Sequence, residues 1–575
     1  MDTQTKVTHH KVPRSPSPAS HAGRRLEHWF PVLLATLAFL LIFTRLDDVY
    51  LWQDEAETAL VARHMVTYGL PLSTDGRTWI QQEGVPFREY TADYVWIYHP
   101  WLQYLVTAIS FSLLGQSTLS ARLPFALAGL LAILMQYVLA SRWQPDRKIA
   151  RVGAVLLLFC VPGILLARQC RYYSLSALLT LLVLDSYLRL DSARPWALPY
   201  FVLSAVLLFH TEYAAFFPVV AALLAHALLT VPGHDLRERF LPGLLLIGLL
   251  ALPWTSLIPI WHGRTPLGVL AQSSPAAATS SALARIVGLV GEQLLQITVW
   301  IFPLILVPAT LAGLLAGGRS VQRTAPRAPR LFSLIILVIA LHVVALSFVG
   351  WSFFRYLTHL IPLLLILLAV GVVWLMTQWR VLGYLTLAAL ITTNILHILP
   401  YRLASSFLTG RSVVWTRLQS SPATRWMSVI PTLGLRSDLL MYAQELTHDY
   451  LGPTEGLVAY LGSHALPGQQ VLVNAEDLPL QFYTDLRVFG GLSGRGLGEV
   501  QPDWIIDRRY GHYRDQLVAI VDSGPYERIT IPYPDLRWEN REEASQHQFL
   551  TDMNTESVVL YRRLPALVPD TSERE

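Results

Sequence analysis

Charge is scarce in this chain. Only 15% of its 575 residues are Asp, Glu, Lys or Arg, against about 25% in an ordinary soluble domain. That deficit excludes a soluble enzyme and a disordered protein. The charge that is present nearly cancels: 44 Lys and Arg face 40 Asp and Glu, a formal net charge of +4. So small an excess excludes a nucleic-acid binder of the basic kind. Cysteine is scarcer still. Cys160 and Cys170 are the two in the sequence, which excludes a disulfide framework and a Cys-based zinc site. On one helix their spacing would put them about 15 Å apart, too far to bridge. Past residue 400 no GxGxxG, P-loop or His/Cys cluster occurs.

What the chain has in abundance is apolar residue, 53% by composition with a mean hydropathy of +0.41. Runs of about 17–25 apolar residues cross the hydrocarbon of a bilayer. The first is FPVLLATLAFLLIFT (30–44), preceded by Lys6, Lys11, Arg14, Arg24 and Arg25 and followed by no small-x-small site. It reads as an uncleaved signal anchor with its N-terminus inside. Further spans are expected at 121–140, 152–168, 174–190, 197–214, 216–232, 240–260, 287–313, 331–349, 357–376 and 381–400, eleven in all. The stretch 100–116 is ambiguous by length. The basic loops 141–151, 189–195, 235–240, 317–330 and 378–380 fall on one side only if 100–116 does not cross. It is therefore expected to be an interfacial or re-entrant helix.

The resulting expectation is a mainly α, polytopic membrane bundle of about eleven spans, N-terminus in and C-terminus out, carrying a small α/β domain. Residues 1–28 are expected to be a disordered cytoplasmic segment and 29–400 the membrane domain, with a first outer loop at 46–120. The turns near 168–173 and 210–218, the loop 261–286 and the turn 350–356 fall on the same outer face. Residues 401–575 are expected to form the domain outside the membrane. There QQVLVNAED (469–477), DWIIDRR (503–509), LVAIVD (517–522) and SVVLYRR (557–563) read as strands, and HDYLGPTEGLVAYLGSHAL (448–466) as a helix entered through Gly-Pro. This domain carries no catalytic signal; it would bind acceptor or pack on the first outer loop.

Polar groups gather at the outer ends of the spans rather than at mid-depth, a distribution that suits an enzyme or a headgroup binder better than a transporter. Asp54 and Glu55 open a helix directly after the first span. They read either as a helix cap or as a carboxylate placed to take a proton from a hydroxyl; an acidic pair alone does not separate the two. Trp and Tyr crowd WIQQEG (79–84) and ADYVWIYHPWLQY (92–104), as in an interfacial belt, though such rings also stack on sugars. Arg168 and Arg171, three apart and beside Tyr172, read as a snorkelling pair or as a phosphate grip. His210, Glu212 and Tyr213 sit at a hairpin tip, where two ligands are too few for a metal site. Arg355 stands beside Tyr356 and His359.

Together these segments resemble the GT-C glycosyltransferases that use polyprenyl-phosphate sugars, in the branch of the protein O-mannosyltransferases and the lipid A aminoarabinose transferases. The matching pieces are WQDEAETALVARHM (52–65), YHPWLQYLV (98–106), ARLPFALAGLL (121–131), ARQCRYYSL (167–175), ALPW (251–254) and FRYLTHLIPLL (354–364), spread over residues 46–364. The resemblance implies Asp54 as the catalytic base with Glu55 its neighbour. It implies Arg355 near the lipid phosphate, with Arg168, Arg171 and Tyr172 beside it. His99 stands where relatives have Lys or His before Pro. His99, His210, Glu212 and Tyr356 are further substrate-binding candidates.

Two departures matter. Glu57 stands where relatives often carry Arg, and the turn after the third span offers arginines rather than a second acid. Those departures put a metal-dependent mechanism in doubt; no cofactor is implied with certainty, and a divalent metal stays open. The implied partners are a polyprenyl-phosphate sugar donor, a glycan, lipid or protein acceptor, and the bilayer of a bacterial inner membrane. The competing classes are a transporter or flippase, and a polymerase or ligase, of lipid-linked glycans. A flippase would need polar residues lining mid-depth, and a ligase its largest outer loop late in the chain.

Overall fold

The computed structural model describes residues 18–82, 89–144, 146–190, 194–230, 236–255, 282–321, 328–349, 352–409, 434–537, 539, 547 and 555–565. Most of the expected outer loop 261–286 and the first seventeen residues lie outside them.

Apolar runs become helices because a bilayer leaves no other partner for backbone N–H and C=O groups. Five are long and apolar enough to cross a membrane: Thr118–Trp143, Tyr213–Thr230, Glu238–Thr255, Arg330–Val349 and Phe354–Gln378. The last is 83% buried within the protein, whereas Glu238–Thr255 is 22% buried, so the former is the central post and the latter sits at the rim. Shorter apolar helices cover Trp29–Phe43, Leu102–Leu114, Tyr173–Leu188 and Ala197–Phe209. The expected helix over 100–116 is thus present as Leu102–Leu114.

The first helix, α1 (Pro18–Phe43), starts inside the stretch expected to be disordered. Three expected straight spans are instead bent pairs. Arg147–Leu158 meets Val161–Ala167 at 65°, Leu283–Trp300 meets Leu304–Ala316 at 83°, and Arg380–Thr392 meets Ile395–Ala404 at 91°. Each break has a local cause. Cys160 is extended with Pro162 beginning the next segment. Pro303 is extended (φ −58°, ψ 129°). Thr393 is extended and its hydroxyl takes the N–H of Ile395. The three breaks line one cleft of about 590 Å³.

The C-terminal sheet has five strands, β1 (Gln470–Val473), β2 (Arg487–Gly490), β3 (Trp504–Asp507), β4 (Tyr526–Pro534) and β5 (Ser557–Arg563), in the order β2-β1-β3-β5-β4. The β2-β1-β3 part is parallel, and β5 and β4 join antiparallel. Alternation sorts the faces: Val471, Val473, Trp504 and Ile506 pack on one side with Leu457 and Leu461, and Leu472 and Ile505 on the other with Leu517. The expected strand 517–522 is a helix, Arg514–Ser523. Leu517, Ile520 and Val521 recur at three and four residues, the helical spacing, and all three pack on the second face. Strands β2 and β4, not expected, are the two edges. Their exposed faces carry Arg487, Glu527 and Arg528, which break the apolar pattern. The expected helix at 448–466 is Pro453–His464, with Pro453 in its first turn.

The sheet domain docks on the segment after the first apolar helix through a short helix, Leu478–Tyr483. Leu478 and Phe482 join a buried cluster with Leu51, Ala56, Leu60 and Trp96. Gln53 donates to Asp477 Oδ1 at 2.9 Å and accepts from Leu478 N–H at 3.2 Å. Arg63 donates to the Phe482 carbonyl at 2.7 Å. Burial pushes the Asp477 carboxyl up from 3.8 to about 6. Between those values the folded chain holds a proton that the unfolded chain has released. Stability therefore falls as pH rises through that window and stays lower above it. Asp477→Asn is expected to remove this fall: in detergent its Tm should exceed wild type at pH 8 by more than at pH 4.5. An equal difference at both pH values would contradict the docking account.

Candidate active site

The site is built on the first turn of α2 (Gln53–Tyr68). Trp52, extended, precedes the helix, and Gly69 ends it at φ +74°. Asp54 and Glu55 lie in the first turn, where the exposed N–H groups favour negative charge. Trp52, not Asp54, occupies the cap position, and its N–H reaches the Glu55 carboxylate at 3.5 Å. The cap reading of Asp54 is therefore not what the fold uses.

The helix is unusual in burying its acids. Glu55 and Glu57 are both fully buried, and a buried carboxylate needs a partner of opposite charge and full hydrogen bonding. Each has one. Arg122 grips Glu55 with two bonds, of 2.8 and 2.7 Å, and the Cys170 N–H adds a third at 2.7 Å. The same guanidinium donates to the carbonyls of Leu46, Val49 and Tyr50, tying the end of the first membrane helix to α2. Glu57 accepts from Arg171 at 3.1 Å, Tyr104 at 2.9 Å and Gln82 at 2.9 Å.

Asp54 differs from both. Its side chain is 15% exposed and its Oδ2 lies 3.3 Å from Arg355 Nη1 and 3.9 Å from Arg171 Nη2. Arg355 comes from the 3₁₀ turn Phe354–Leu360, is 22% exposed and lies over the rings of Phe353 and Tyr356. Arg171, 3% exposed, also lies 2.9 Å from His99 Nε2 and over the Tyr172 ring. Burial and the Arg171 charge hold His99 well below the usual imidazole range, so it is neutral, with Nε2 as acceptor. Tyr172, Tyr356 and Glu212 lie within electrostatic range of one another. Glu212 accepts a bond from Ser176, and burial pushes its carboxyl up to about 8. The His210 ring packs between Trp101 and Trp254.

The fold thus brings Asp54, Arg171, Arg355, His99, Tyr172 and Tyr356 together, with Glu212 next to them. It does not bring Arg168. That guanidinium donates to the carbonyls of Ile42, Thr44 and Arg45, each at 2.8 Å, the groups a helix leaves unbonded at its C-terminus. Nor do Arg168 and Arg171 share a helix face: Arg168 caps one helix and Arg171 lies in the turn before the next. Glu55 is likewise enclosed by Arg122. Among the described residues no three His, Cys, Asp or Glu side chains come together to hold a metal ion.

Sequence reasoning missed the parts played by Glu57, Arg122 and Tyr104. Arg122 had a legible signal, because an arginine opening the apolar run ARLPFALAGLL needs a buried acid. The pairing of Glu57 with Tyr104 and Gln82 had none.

This bundle with a site at the ends of its helices, and a small α/β unit docked over the segment after the first apolar helix, defines a GT-C fold. It is shared with ArnT from Cupriavidus metallidurans: the apo crystal structure superposes with a TM-score of 0.54 at 15% identity, covering 94% of this chain and 98% of that one. The same protein bound to undecaprenyl phosphate gives a TM-score of 0.52 at 16% identity, covering 92% and 97%. No family model matches the chain, and no curated protein matches it in sequence.

The Arg122–Glu55 pair yields a direct test. Arg122→Met leaves a buried carboxylate without its cation and is expected to cost about 3–5 kcal/mol. Adding Glu55→Gln should restore part of that loss. Thermal unfolding of the purified variants in detergent measures both, and an unchanged Tm for the single variant would contradict the structural role.

Proposed function

We propose that this chain is a membrane glycosyltransferase that moves a sugar from a polyprenyl-phosphate donor to an acceptor hydroxyl on the outer face of the membrane. The observation that carries the reading is the pairing of a partly exposed carboxylate, Asp54, with two arginines, Arg355 and Arg171. One half of such a site suits a phosphate and the other a hydroxyl. The likeness in fold to a protein crystallised with undecaprenyl phosphate supports the donor class.

The two arginines divide the work. Arg171 is enclosed and committed to Glu57, so it acts through its field and holds His99 and Asp54 in place. Arg355 is the more exposed and faces Asp54 alone among the described acids, so it is the group that turns to the incoming phosphate. That shift does two things. It neutralises the leaving group, where charge develops in the transition state. It also releases Asp54 from its closest cation, which leaves the carboxylate open to the acceptor hydroxyl. The acceptor oxygen then attacks the anomeric carbon from the face opposite the phosphate. The anomeric carbon–oxygen bond to phosphate breaks, polyprenyl phosphate leaves, and Asp54 takes the hydroxyl proton. One displacement inverts the anomeric centre. Arg168, held by the carbonyls at the end of the first helix, and Glu55, held by Arg122, take no part.

A radiolabel transfer assay in membranes, with a panel of polyprenyl-phosphate sugars, tests the scheme. Asp54→Asn is expected to lower transfer by about 10²–10⁴-fold, the range of a lost general base, with expression unchanged. Arg355→Ala is expected to raise KM for the donor and lower kcat. Equal transfer by wild type and Asp54→Asn would remove the base assignment.

A further inference from the structure

Beside the Asp54–Arg355 pair lies a group of polar side chains that the transfer step leaves unused. Trp101 Nε1, His210 Nδ1 and Glu212 Oε1 are all buried, and none has a hydrogen-bond partner among the described residues. Buried polar atoms are nearly always paired, and an unpaired one costs the full desolvation of the group. Trp101 packs on His210, and Glu212 follows His210 by two residues, so the three atoms lie on adjoining segments that together suit a polar ligand. They differ in kind. An indole N–H only donates, an imidazole nitrogen does either, and a carboxyl oxygen accepts or, when protonated, donates.

The surroundings add a shape. Trp101, His210 and Trp254 form a triangle of rings, with centroids 4.9, 5.4 and 5.7 Å apart. Their position is fixed by the fold: the His210 carbonyl takes the Leu102 N–H at 3.0 Å, which ties the hairpin tip to the helix after Trp101. Ser176 holds the other oxygen of Glu212, so Oε1 is presented rather than free to turn. The link to the reacting centre is short. Trp101 follows His99 by two residues, and Glu212 lies within electrostatic range of Tyr172 and Tyr356.

We propose that Trp101, His210 and Glu212 form the subsite that reads the sugar ring of the donor, and that the ring it selects is a neutral, polyhydroxylated one. This rests on the transferase reading above. Hydroxyl groups both donate and accept, so they satisfy all three orphaned atoms, and aromatic edges and faces suit the C–H faces of a sugar. A sugar carboxylate fits poorly. In the transfer scheme Arg355 is taken by the donor phosphate and Arg171 by Glu57, and Trp101, His210 and Glu212 supply no full positive charge to hold it. With its carboxyl pushed up by burial, Glu212 is mostly the neutral acid at pH 7, which suits a hydroxyl partner. The subsite thus divides the donor in two: phosphate toward Arg355, ring toward Glu212.

The test is binding of three lipids to the purified full chain in nanodiscs: undecaprenyl phosphate alone, its neutral hexose ester and its uronic acid ester. Wild type is expected to bind the hexose ester at least tenfold more tightly than the bare lipid, and the uronic acid ester no more tightly than the bare lipid. Glu212→Ala should erase the hexose gain and leave the bare lipid's Kd unchanged. Glu212→Gln keeps an acceptor for Ser176; it serves if the alanine variant does not fold, and should lose at least threefold of the gain. A Glu212 variant that weakens bare lipid and hexose ester equally would overturn the subsite, as would a uronic acid ester that gains as much as the hexose. If wild type binds the bare lipid, Arg355→Ala abolishes that binding and the hexose adds nothing, the subsite falls while the transferase reading stands. If wild type binds none of the three, or Arg355→Ala leaves bare-lipid binding intact, the transferase reading itself fails and takes the subsite with it.

Discussion

Two fully buried carboxylates on one helical turn are the constraint around which the rest of this protein is arranged. A buried carboxylate without a cation is among the most costly features a fold can carry. Glu55 therefore requires Arg122 and Glu57 requires Arg171. Meeting those two needs joins five segments. Arg122 comes from the long helix Thr118–Trp143 and also collects the carbonyls after the first membrane helix. Arg171 comes from the turn before Tyr173–Leu188. Tyr104 and Gln82 complete the shell around Glu57. Once both pairs are closed, Asp54 is left as the one acid of that turn near the surface, with Arg355 across from it.

This arrangement explains why neighbouring residues of identical type have opposite characters. Asp54 and Glu55 are adjacent, yet a helix turns by about 100° per residue, so one faces the opening and the other the core. Arg168 and Arg171 are three apart, yet one closes a helix end and the other the acid pair. In a bilayer-embedded bundle every unbonded carbonyl at a helix end needs a donor. Arg168 meets that need for the first helix, which is why it stands apart from the site. The docked sheet domain serves the same turn from the other side, since Asp477 and Leu478 hold Gln53, the residue before Asp54.

A multi-span helical bundle followed by a small α/β domain was legible in residues 30–400 and 469–563, because length and hydropathy are local properties of the chain. The strands at 470–473 and 504–507 were legible for the same reason, but not their parallel pairing. The helix at 514–523 was misread, since a short run of Leu, Val, Ala and Ile fits both periods until its neighbours choose one. The bends at 159–160, 303 and 393 were not foreseen, because hydropathy is blind to the extended backbone that one residue adopts.

By itself the sequence determined the membrane-spanning class and the clustering of polar residues at the ends of the apolar runs, which follow from composition and spacing, while the prominence of Asp54 and Arg355 came from the likeness of their segments to a known family. The tertiary structure alone decided which arginine meets which acid, that Arg168 is a helix cap, and that the His210 ring packs on Trp101 and Trp254. Those outcomes depend on contacts between residues tens to hundreds of positions apart. Partner choice for a buried charge is made by whichever opposite charge the packing brings within a few ångströms, and no spacing along the chain encodes that distance.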